Sequence, residues 1–215
     1  MSPKRPDSFV IALDALRNDL RAGAYGYGGR LAATEIAHTL NLSPTPVREA
    51  LSRLAGEGVV EDRRGQGFFV PRLTGRELAD LYRLNLVYLG MALDAGLGEG
   101  RIPGPSDRVT ARIEPPADGL TSVILSERLF RDWVSAASRV VAGAHRRLQD
   151  LLASTRRLEP LLIPDLEAEV MGLIDLAGRR QSSGLRAGLD AFHARRIDAS
   201  PRLASLLESH AGLRK

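Results

Sequence analysis

The chain has 215 residues, of which 44% are hydrophobic and 26% are charged, enough for one large or two small domains with a hydrophobic core. Only 5% of the residues are aromatic, and the longest nearly uncharged apolar stretch, residues 84–93, is about half of a membrane span, so an integral membrane protein is excluded. The formal net charge is +4, and lysine supplies only Lys4 and Lys215 of the 30 basic residues. This arginine-rich composition permits nucleic-acid binding without requiring it.

The sequence contains no cysteine, which removes disulfides, thiolate metal sites and cysteine nucleophiles. Acidic residues interrupt the apolar run that follows Lys4 and Arg5, so we expect no secretory signal and a cytoplasmic location. The sequence has neither a Gly-x-Ser-x-Gly elbow nor a Gly-x-x-x-x-Gly-Lys loop, and its histidines and carboxylates do not cluster at metal-binding spacing. We therefore expect neither an enzyme nor a bound cofactor.

The first 40 residues predict two helices separated by a glycine-rich segment. Residues 8–22 carry apolar side chains at three- and four-residue spacing, which is typical of one helical face, and Ser8 is the expected N-cap. Residues 31–40 repeat this pattern over a shorter stretch and predict a second helix. Asn41 then begins the turn to the next element.

A third helix is predicted over residues 43–57, with Ser43 as its N-cap and Pro44 at its first position, where the missing N–H is harmless. Two short β-type runs follow, at residues 59–61 and 68–70. The turn between these runs is rich in charge and glycine, which predicts a hairpin. The predicted helices, the tight turn at Asn41 and the hairpin together indicate a winged helix-turn-helix.

We expect this first domain to cover residues 1–73. Thr74 and Glu77 have the spacing of a capping box, and the apolar pattern behind them predicts a linking helix over residues 74–95. The linking helix marks the start of a second domain.

The second domain is predicted to cover residues 74–215. A loop rich in proline and glycine interrupts it at residues 96–119. Five helices are expected after that loop, at residues 121–142, 144–158, 164–180, 183–197 and 201–213. The whole chain is therefore predicted to be mainly α, with an N-terminal winged helix-turn-helix of three helices and a β-hairpin wing, followed by an all-helical bundle.

The start of the third predicted helix has the chemistry of a DNA-reading element. The N-terminal residues of a recognition helix face bases in the major groove, and its first-turn N–H groups face phosphate. Arg48 is the only long hydrogen-bond donor at that end, and a bidentate arginine at guanine contributes about 1 to 3 kcal/mol of discrimination. A solvated surface charge is the alternative role for this arginine.

Two segments are especially informative, the run TPVREALSRL that begins at residue 45 and the hairpin RRGQGFFV that begins at residue 63. Through these runs, residues 8–73 resemble the DNA-binding domain of the GntR family of bacterial transcription regulators, and within that family its FadR-like branch. The resemblance covers roughly the first third of the chain. It implies a regulator that binds DNA through its winged helix.

The resemblance also implies which residues contact DNA. The start of the recognition helix is implied to touch the operator and the wing glycines to approach the minor groove, with neighbouring side chains as further wing contacts. The expected set is Ser43, Thr45, Pro46, Arg48, Arg64, Gly65, Gln66 and Gly67. Many relatives carry an arginine where this chain has Pro44, and another where it has Thr34. We therefore expect fewer base contacts and a larger share of the affinity from phosphates.

In the FadR-like branch the C-terminal bundle binds a small effector, commonly a carboxylate, and the FCD subgroup holds a metal with an Asp-x-x-x-His pair and two later histidines. The corresponding pair here is Glu127 and Arg131. Arginine has no lone pair for a metal, and of the later positions only His193 comes close to a match. We therefore predict no metal site in this domain. The usual arginine and glutamate of the linking helix are replaced by Asn85 and Leu89.

Two roles remain open for Glu127 and Arg131. Arg131 could hold an anionic effector directly, with Glu127 one turn before it. Alternatively, the two side chains form an i, i+4 ion pair in a domain that serves only to dimerise. Phe130 and Trp133, on the same predicted helix, are expected in the core.

The leading hypothesis is a sequence-specific transcription regulator, in particular a repressor, that binds a short palindrome of double-stranded DNA as a homodimer. A small organic-acid effector is the expected signal. The alternative hypothesis is a dimerisation or protein-interaction module with a vestigial sensor domain and weak or no DNA specificity.

Overall fold

The structure is a computed structural model that describes residues 7–98, 120–179 and 181–212. The predicted fold class is confirmed, since the described residues are mainly helical with one small sheet near the N-terminus. The elements in chain order are α1 (Ser8–Arg21), β1 (Arg30–Leu31), α2 (Ala33–Thr39), α3 (Pro44–Gly56), β2 (Glu61–Arg63), β3 (Gly67–Phe69), α4 (Gly75–Gly98), α5 (Thr121–Ala137), α6 (Arg139–Arg156), a 3₁₀ turn (Glu159–Leu161), α7 (Leu166–Gly178) and α8 (Ser182–Gly212).

The chain forms two compact units. Of the described residues, 7–72 and 207–212 belong to the first unit and 73–206 to the second. The linking helix runs to Gly98, so the first three residues of the predicted loop at 96–119 are helical, and the rest of that loop lies outside the described residues. None of the described helices has the length and apolar content needed to cross a membrane.

The first unit contains the predicted helix-turn-helix. The N-cap of α1 is Asp7, whose carboxylate accepts a hydrogen bond from the Phe9 N–H at 3.0 Å, so the predicted Ser8 cap is wrong by one residue. Asn41, with φ 53°, makes the turn between α2 and α3. The buried side chains of these elements form one core, composed of Ala12, Leu16, Leu20, Leu31, Ile36, Ala37, Val47, Ala50, Leu51, Leu54, Val59 and Val60.

The predicted hairpin is part of a three-stranded antiparallel sheet with the order β1-β3-β2. Residues 31–40 do not form a single helix as predicted, because Leu31 pairs with Phe68 of β3 and is buried, and α2 begins only at Ala33. At the tip of the hairpin, the Gln66 N–H donates to the Arg63 carbonyl at 2.8 Å. Gly65 has φ 72° there, a conformation that L side chains rarely adopt, which explains the glycine.

The second unit is a helical bundle that begins with the predicted capping box. The Thr74 N–H donates to Glu77 Oε2 at 2.7 Å, and the Glu77 N–H donates to Thr74 Oγ1 at 3.2 Å. Helix α4 packs against α5 and α6, and α5 also packs against α7. Phe130 and Trp133 lie in the hydrophobic core of this unit, as expected.

Two predicted helix boundaries in this unit are wrong. The break near residue 143 lies instead at Ser138, whose hydroxyl accepts from the Val140 N–H at 3.2 Å and so caps α6. Pro201 does not start a new helix but lies inside α8. The proline removes the backbone donor for the carbonyl of residue 197, and the neighbouring Ser200 donates its hydroxyl to the Arg196 carbonyl at 2.8 Å.

Candidate nucleic-acid interface and buried polar chain

The leading end of α3 is open to solvent. Ser43 occupies the N-cap in an extended conformation (φ −74°, ψ 157°), but its hydroxyl makes no capping hydrogen bond. Pro44 and Pro46 have no N–H groups, so Thr45 has the free backbone donor of the first turn. The several phosphate-facing N–H groups expected from the sequence are therefore reduced to one within this turn.

One face of α3 consists of exposed polar side chains. Thr45, Arg48 and Ser52 are spaced at three and four residues and are all exposed, while Val47 and Leu51 on the opposite side are fully buried. The guanidinium of Arg48 has no hydrogen bond or ion pair with any residue that the structure describes. Arg48 is therefore a cation on the outward face that no internal carboxylate neutralises.

The wing presents a second group of exposed residues. Its tip consists of Arg64, Gly65 and Gln66. Arg64 has no hydrogen-bonding or charged partner within the described ranges. Arg63 differs, because it pairs with Glu61 Oε2 at 2.7 Å and lies over the ring of Phe69, with its guanidinium carbon 4.3 Å from the ring centroid.

The second unit encloses a chain of buried polar side chains that sequence reasoning missed. Asn85 Nδ2 lies 2.8 Å from His193 Nε2, and Asn85 Oδ1 lies 3.2 Å from Gln149 Nε2. Gln149 Nε2 is also 2.6 Å from His145 Nε2, and Gln149 Oε1 accepts a hydrogen bond from Arg156. All five residues are buried, and they join α4, α6 and α8.

The donor and acceptor roles in this row of polar side chains are fixed at both of its ends. The guanidinium of Arg156 can only donate, so Gln149 turns its oxygen toward Arg156 and its amide nitrogen toward Asn85. At the other end, His193 Nδ1 lies 2.7 Å from the Leu189 carbonyl, which can only accept. His193 therefore carries its proton on Nδ1, and its Nε2 accepts from Asn85 Nδ2.

His145 completes the chain between Gln149 and Asn85. Its Nε2 lies 2.6 Å from Gln149 Nε2 and 3.0 Å from Asn85 Oδ1, so the tautomer decides whether this nitrogen accepts from Gln149 or donates to Asn85. Burial and, to a smaller extent, the nearby positive charge of Arg156 together lower the pKa of both His145 and His193 to about 3. Both imidazoles are therefore neutral at physiological pH.

The two residues expected at an effector site, Glu127 and Arg131, lie near this chain. Glu127 Oε1 is 3.7 Å from Arg156 Nη1, and the exposed Arg131 is close enough to contribute to the lowered pKa of His145. These residues do not fit a metal, because Arg131 has no lone pair and Glu127 faces a cation. The described ranges contain no group of three histidine, cysteine or carboxylate side chains placed to hold a metal ion.

Arg156 has a buried atom with an unused hydrogen-bonding capacity. The side chain is 1% exposed, and its Nη2 has no hydrogen-bond partner among the described residues. Leaving such a donor unsatisfied costs about 1–3 kcal/mol, and more for a charged group. Within the row of buried polar side chains, Arg156 Nη2 is therefore the atom that could donate to an additional acceptor.

A second buried cluster surrounds Arg196 of α8. Its Nε lies 3.0 Å from Glu159 Oε2 and its Nη1 lies 2.9 Å from Glu169 Oε2. The Tyr82 hydroxyl donates to Glu159 Oε1 at 2.7 Å, and the guanidinium carbon is 3.2 Å from the ring centroid of Phe192. These contacts join α4, the 3₁₀ turn, α7 and α8, which favours a structural role.

Comparison with known proteins identifies the first unit. Residues 12–70 match the family model described as "Bacterial regulatory proteins, gntR family". An uncharacterised HTH-type transcriptional regulator of Agrobacterium vitis is 32% identical over 81 residues, which cover 38% of this chain and 47% of the relative. The HTH-type transcriptional regulator McbR of Escherichia coli is 35% identical over 83 residues, which cover 37% of this chain and 38% of McbR. The chain thus spans less than half of the length of these two relatives.

Solved structures extend the likeness of fold to most of the chain. A putative transcriptional regulator GntR from Rhodococcus sp. RHA1 has a TM-score of 0.71 at 18% identity and covers 92% of this chain and 97% of its own. Escherichia coli McbR/YncC has a TM-score of 0.67 at 19% identity, and the match covers 91% of this chain and 98% of the McbR/YncC chain. The FadR-like, FCD-type assignment of the second unit stays a prediction. Residues 12–70 carry the winged helix-turn-helix domain of the gntR family of bacterial regulatory proteins.

Proposed function

We propose that this chain is a transcription regulator, a repressor, that binds a short palindromic operator in double-stranded DNA as a homodimer. The outward face of α3 carries the proposal, because Arg48 is exposed and has no partner among the described residues. A guanidinium that no internal carboxylate neutralises retains its donors for guanine or phosphate. The relatives described above, which are named as HTH-type transcriptional regulators, support the same function.

The proposed DNA contacts come from two places in the first unit. In the recognition helix, Arg48 reads a base and the Thr45 N–H binds a phosphate. In the wing, the exposed tip enters the minor groove, where glycines allow the backbone to approach closely. The full proposed set remains Ser43, Thr45, Pro46, Arg48, Arg64, Gly65, Gln66 and Gly67.

The test is a DNA-binding titration at several salt concentrations, with a duplex selected by the protein from a random pool and a shuffled duplex. We expect the logarithm of the affinity to fall linearly with the logarithm of the salt concentration. Arg48→Ala should abolish discrimination between the two duplexes and leave weak general binding. Arg53→Ala is the matched control, because Arg53 is an exposed arginine of the same helix that pairs with Glu57. A flat salt dependence of the wild-type protein contradicts the proposal.

We further propose that the second unit responds to a small organic acid, held beside Glu127 and Arg131. Arg156 supports this ligand class, because its Nη2 is a buried donor in need of an acceptor and a carboxylate provides one. Arg156 Nη1 lies 3.7 Å from Glu127 Oε1, and Arg131 follows Glu127 by one turn of α5. The positive charge of the two arginines therefore converges on one region.

The test for the effector is a thermal-shift screen of small organic acids, with and without divalent metals. An acid that binds should raise the melting temperature of the wild-type protein and should do so less in Arg131→Gln. Arg147→Gln removes an exposed arginine of α6 and should leave the shift unchanged. If no acid shifts the melting temperature at millimolar concentration, this part of the proposal is wrong.

A dimerisation or protein-interaction module with weak or no DNA specificity is the second candidate. Two observations favour it. Pro44 and Pro46 leave one free backbone donor in the first turn of α3, and α2 contains no arginine or lysine. This candidate predicts a stable oligomer in light scattering together with no shift of any DNA at physiological salt.

A further inference from the structure

Seven of the eight described arginines of the first unit, all except Arg21, fall into two groups. Arg17 and Arg53 both pair with Glu57, at 2.5 and 2.8 Å, and Arg63 pairs with Glu61. In contrast, four arginines have no hydrogen bond or ion pair from the guanidinium to any residue in the described part of the chain. They are Arg30, Arg48, Arg64 and Arg72.

Three of these four unpaired cations lie in the sheet or in the segments next to its strands, and not in the recognition helix. Arg30 lies in β1, Arg64 lies at the tip of the wing and Arg72 follows β3. All three are exposed. The sheet side of the unit therefore carries more uncompensated positive charge than α3.

Arg30 lies on the outer face of the sheet. In the register of the strands, Arg30 is opposite Phe69, and the next residue, Leu31, is 2% exposed and belongs to the core. Because side chains alternate along a strand, Arg30 and Phe69 share the solvent face with Gly67. Arg30 Nε is 4.0 Å from the position that a Cβ atom on Gly67 would occupy. The guanidinium of Arg30 is thus placed beside the base of the wing.

The other arginine on this face shows why Arg30 is distinctive. Arg63 also lies beside Phe69, but Glu61 neutralises its charge. Arg30 has a comparable place on the opposite side of β3 without a carboxylate partner. An arginine kept for the stability of the sheet would be expected to resemble Arg63.

We infer that Arg30 is a DNA-backbone contact that binds a phosphate of the duplex next to the groove that the wing enters. The inference rests on the proposed function and adds a contact outside the recognition helix and the wing tip. It also accounts for α2, which has no arginine or lysine of its own, because Arg30 supplies a cation three residues before that helix begins. Phosphate is the fitting ligand because an exposed guanidinium on a flat sheet face can bind a backbone oxygen without entering a groove.

The experiment compares the wild-type protein with Arg30→Gln, Arg30→Lys and the control Arg53→Gln. Fluorescence anisotropy measures binding to the selected and the shuffled duplex at salt concentrations from about 0.05 to about 0.3 M. In this range phosphate contacts dominate the salt dependence of the affinity. Loss of one phosphate contact per bound subunit should reduce the slope of log affinity against log salt concentration by about 0.9. As a consequence, the affinity at roughly 0.1 M salt should be about eightfold weaker. Arg30→Gln should show this loss equally on both duplexes. Arg30→Lys should retain most of the slope, because a point charge also binds phosphate.

The outcomes separate this inference from the proposed function. If Arg30→Gln keeps the wild-type slope and affinity, or weakens only the selected duplex, Arg30 is not a phosphate contact. A loss in Arg30→Lys as large as that in Arg30→Gln also overturns the inference. Circular dichroism of each variant checks that the fold is kept. If the wild-type protein binds neither duplex, the proposed function itself fails.

Discussion

Acidification from pH 7 to pH 5 should destabilise the second unit through its two buried histidines. Burial holds the pKa of His145 and His193 at about 3, whereas an unfolded histidine has a pKa of 6.5. Between these values the unfolded chain binds two protons that the folded chain excludes. Stability therefore falls as the pH falls through this window.

The magnitude follows from the pKa difference. Each histidine contributes about 2 kcal/mol of lost stability between pH 7 and pH 5, because one pKa unit is worth about 1.4 kcal/mol and most of the titration of the unfolded histidine lies in this interval. The two together give about 4 kcal/mol. The interval ends above the ordinary pKa of aspartate and glutamate, so carboxylate titration contributes little.

Trp133 makes the measurement specific, because it is the only tryptophan of the chain and lies in the core of the second unit. Urea unfolding followed by its fluorescence at pH 7 and pH 5 gives the two free energies. His145→Gln and His193→Gln should each halve the difference between the two pH values, and His38→Gln, at an exposed histidine of the first unit, should not change it. A wild-type difference below about 1 kcal/mol would show that the folded imidazoles take up protons and that the fixed direction of the polar chain is wrong.

Three other substitutions test the remaining structural claims. Arg196→Met leaves the buried Glu159 without its cation and should cost about 3–5 kcal/mol in the same urea assay, whereas Arg83→Met, at an exposed ion pair, should cost less than about 1 kcal/mol. Thr74→Ala removes the capping box of α4 and should lower the free energy of unfolding by about 1 kcal/mol. Gly65→Ala forces a Cβ into a left-handed turn and should destabilise the first unit by about 1–2 kcal/mol, measured by urea unfolding with circular dichroism.

Local chemistry explains why the winged helix could be predicted from the sequence. The start of α3 and the turn of the wing are each specified by residues a few positions apart, such as Ser43 with Pro44 and Gly65 with its neighbours. The capping box at Thr74 belongs to the same class. The resemblance to the gntR family is confirmed for residues 12–70 by the family model. It rests on the same short segments.

The failures come from interactions across the chain. β1 is not predicted because its two residues pair with β3, 39 and 37 positions later, and the local pattern of residues 31–40 is helical. Pro201 predicts a break from its residue type alone, but α8 continues through it. The polar chain joins Asn85 to His193, which are 108 positions apart, and no local pattern marks such a pair.

The two buried arginines of the second unit differ in a way that bears on the proposed effector site. Arg196 is surrounded by carboxylates of Glu159 and Glu169, so its charge is compensated within the fold. Arg156 donates to an amide, lies 3.7 Å from the carboxylate of Glu127, and keeps Nη2 unsatisfied among the described residues. An anion that binds only the folded state raises the free energy of unfolding. This increase is largest where a buried donor still lacks an acceptor. The incomplete satisfaction of Arg156 therefore favours the polar chain, and not the Arg196 cluster, as the place where the proposed organic acid would stabilise this unit.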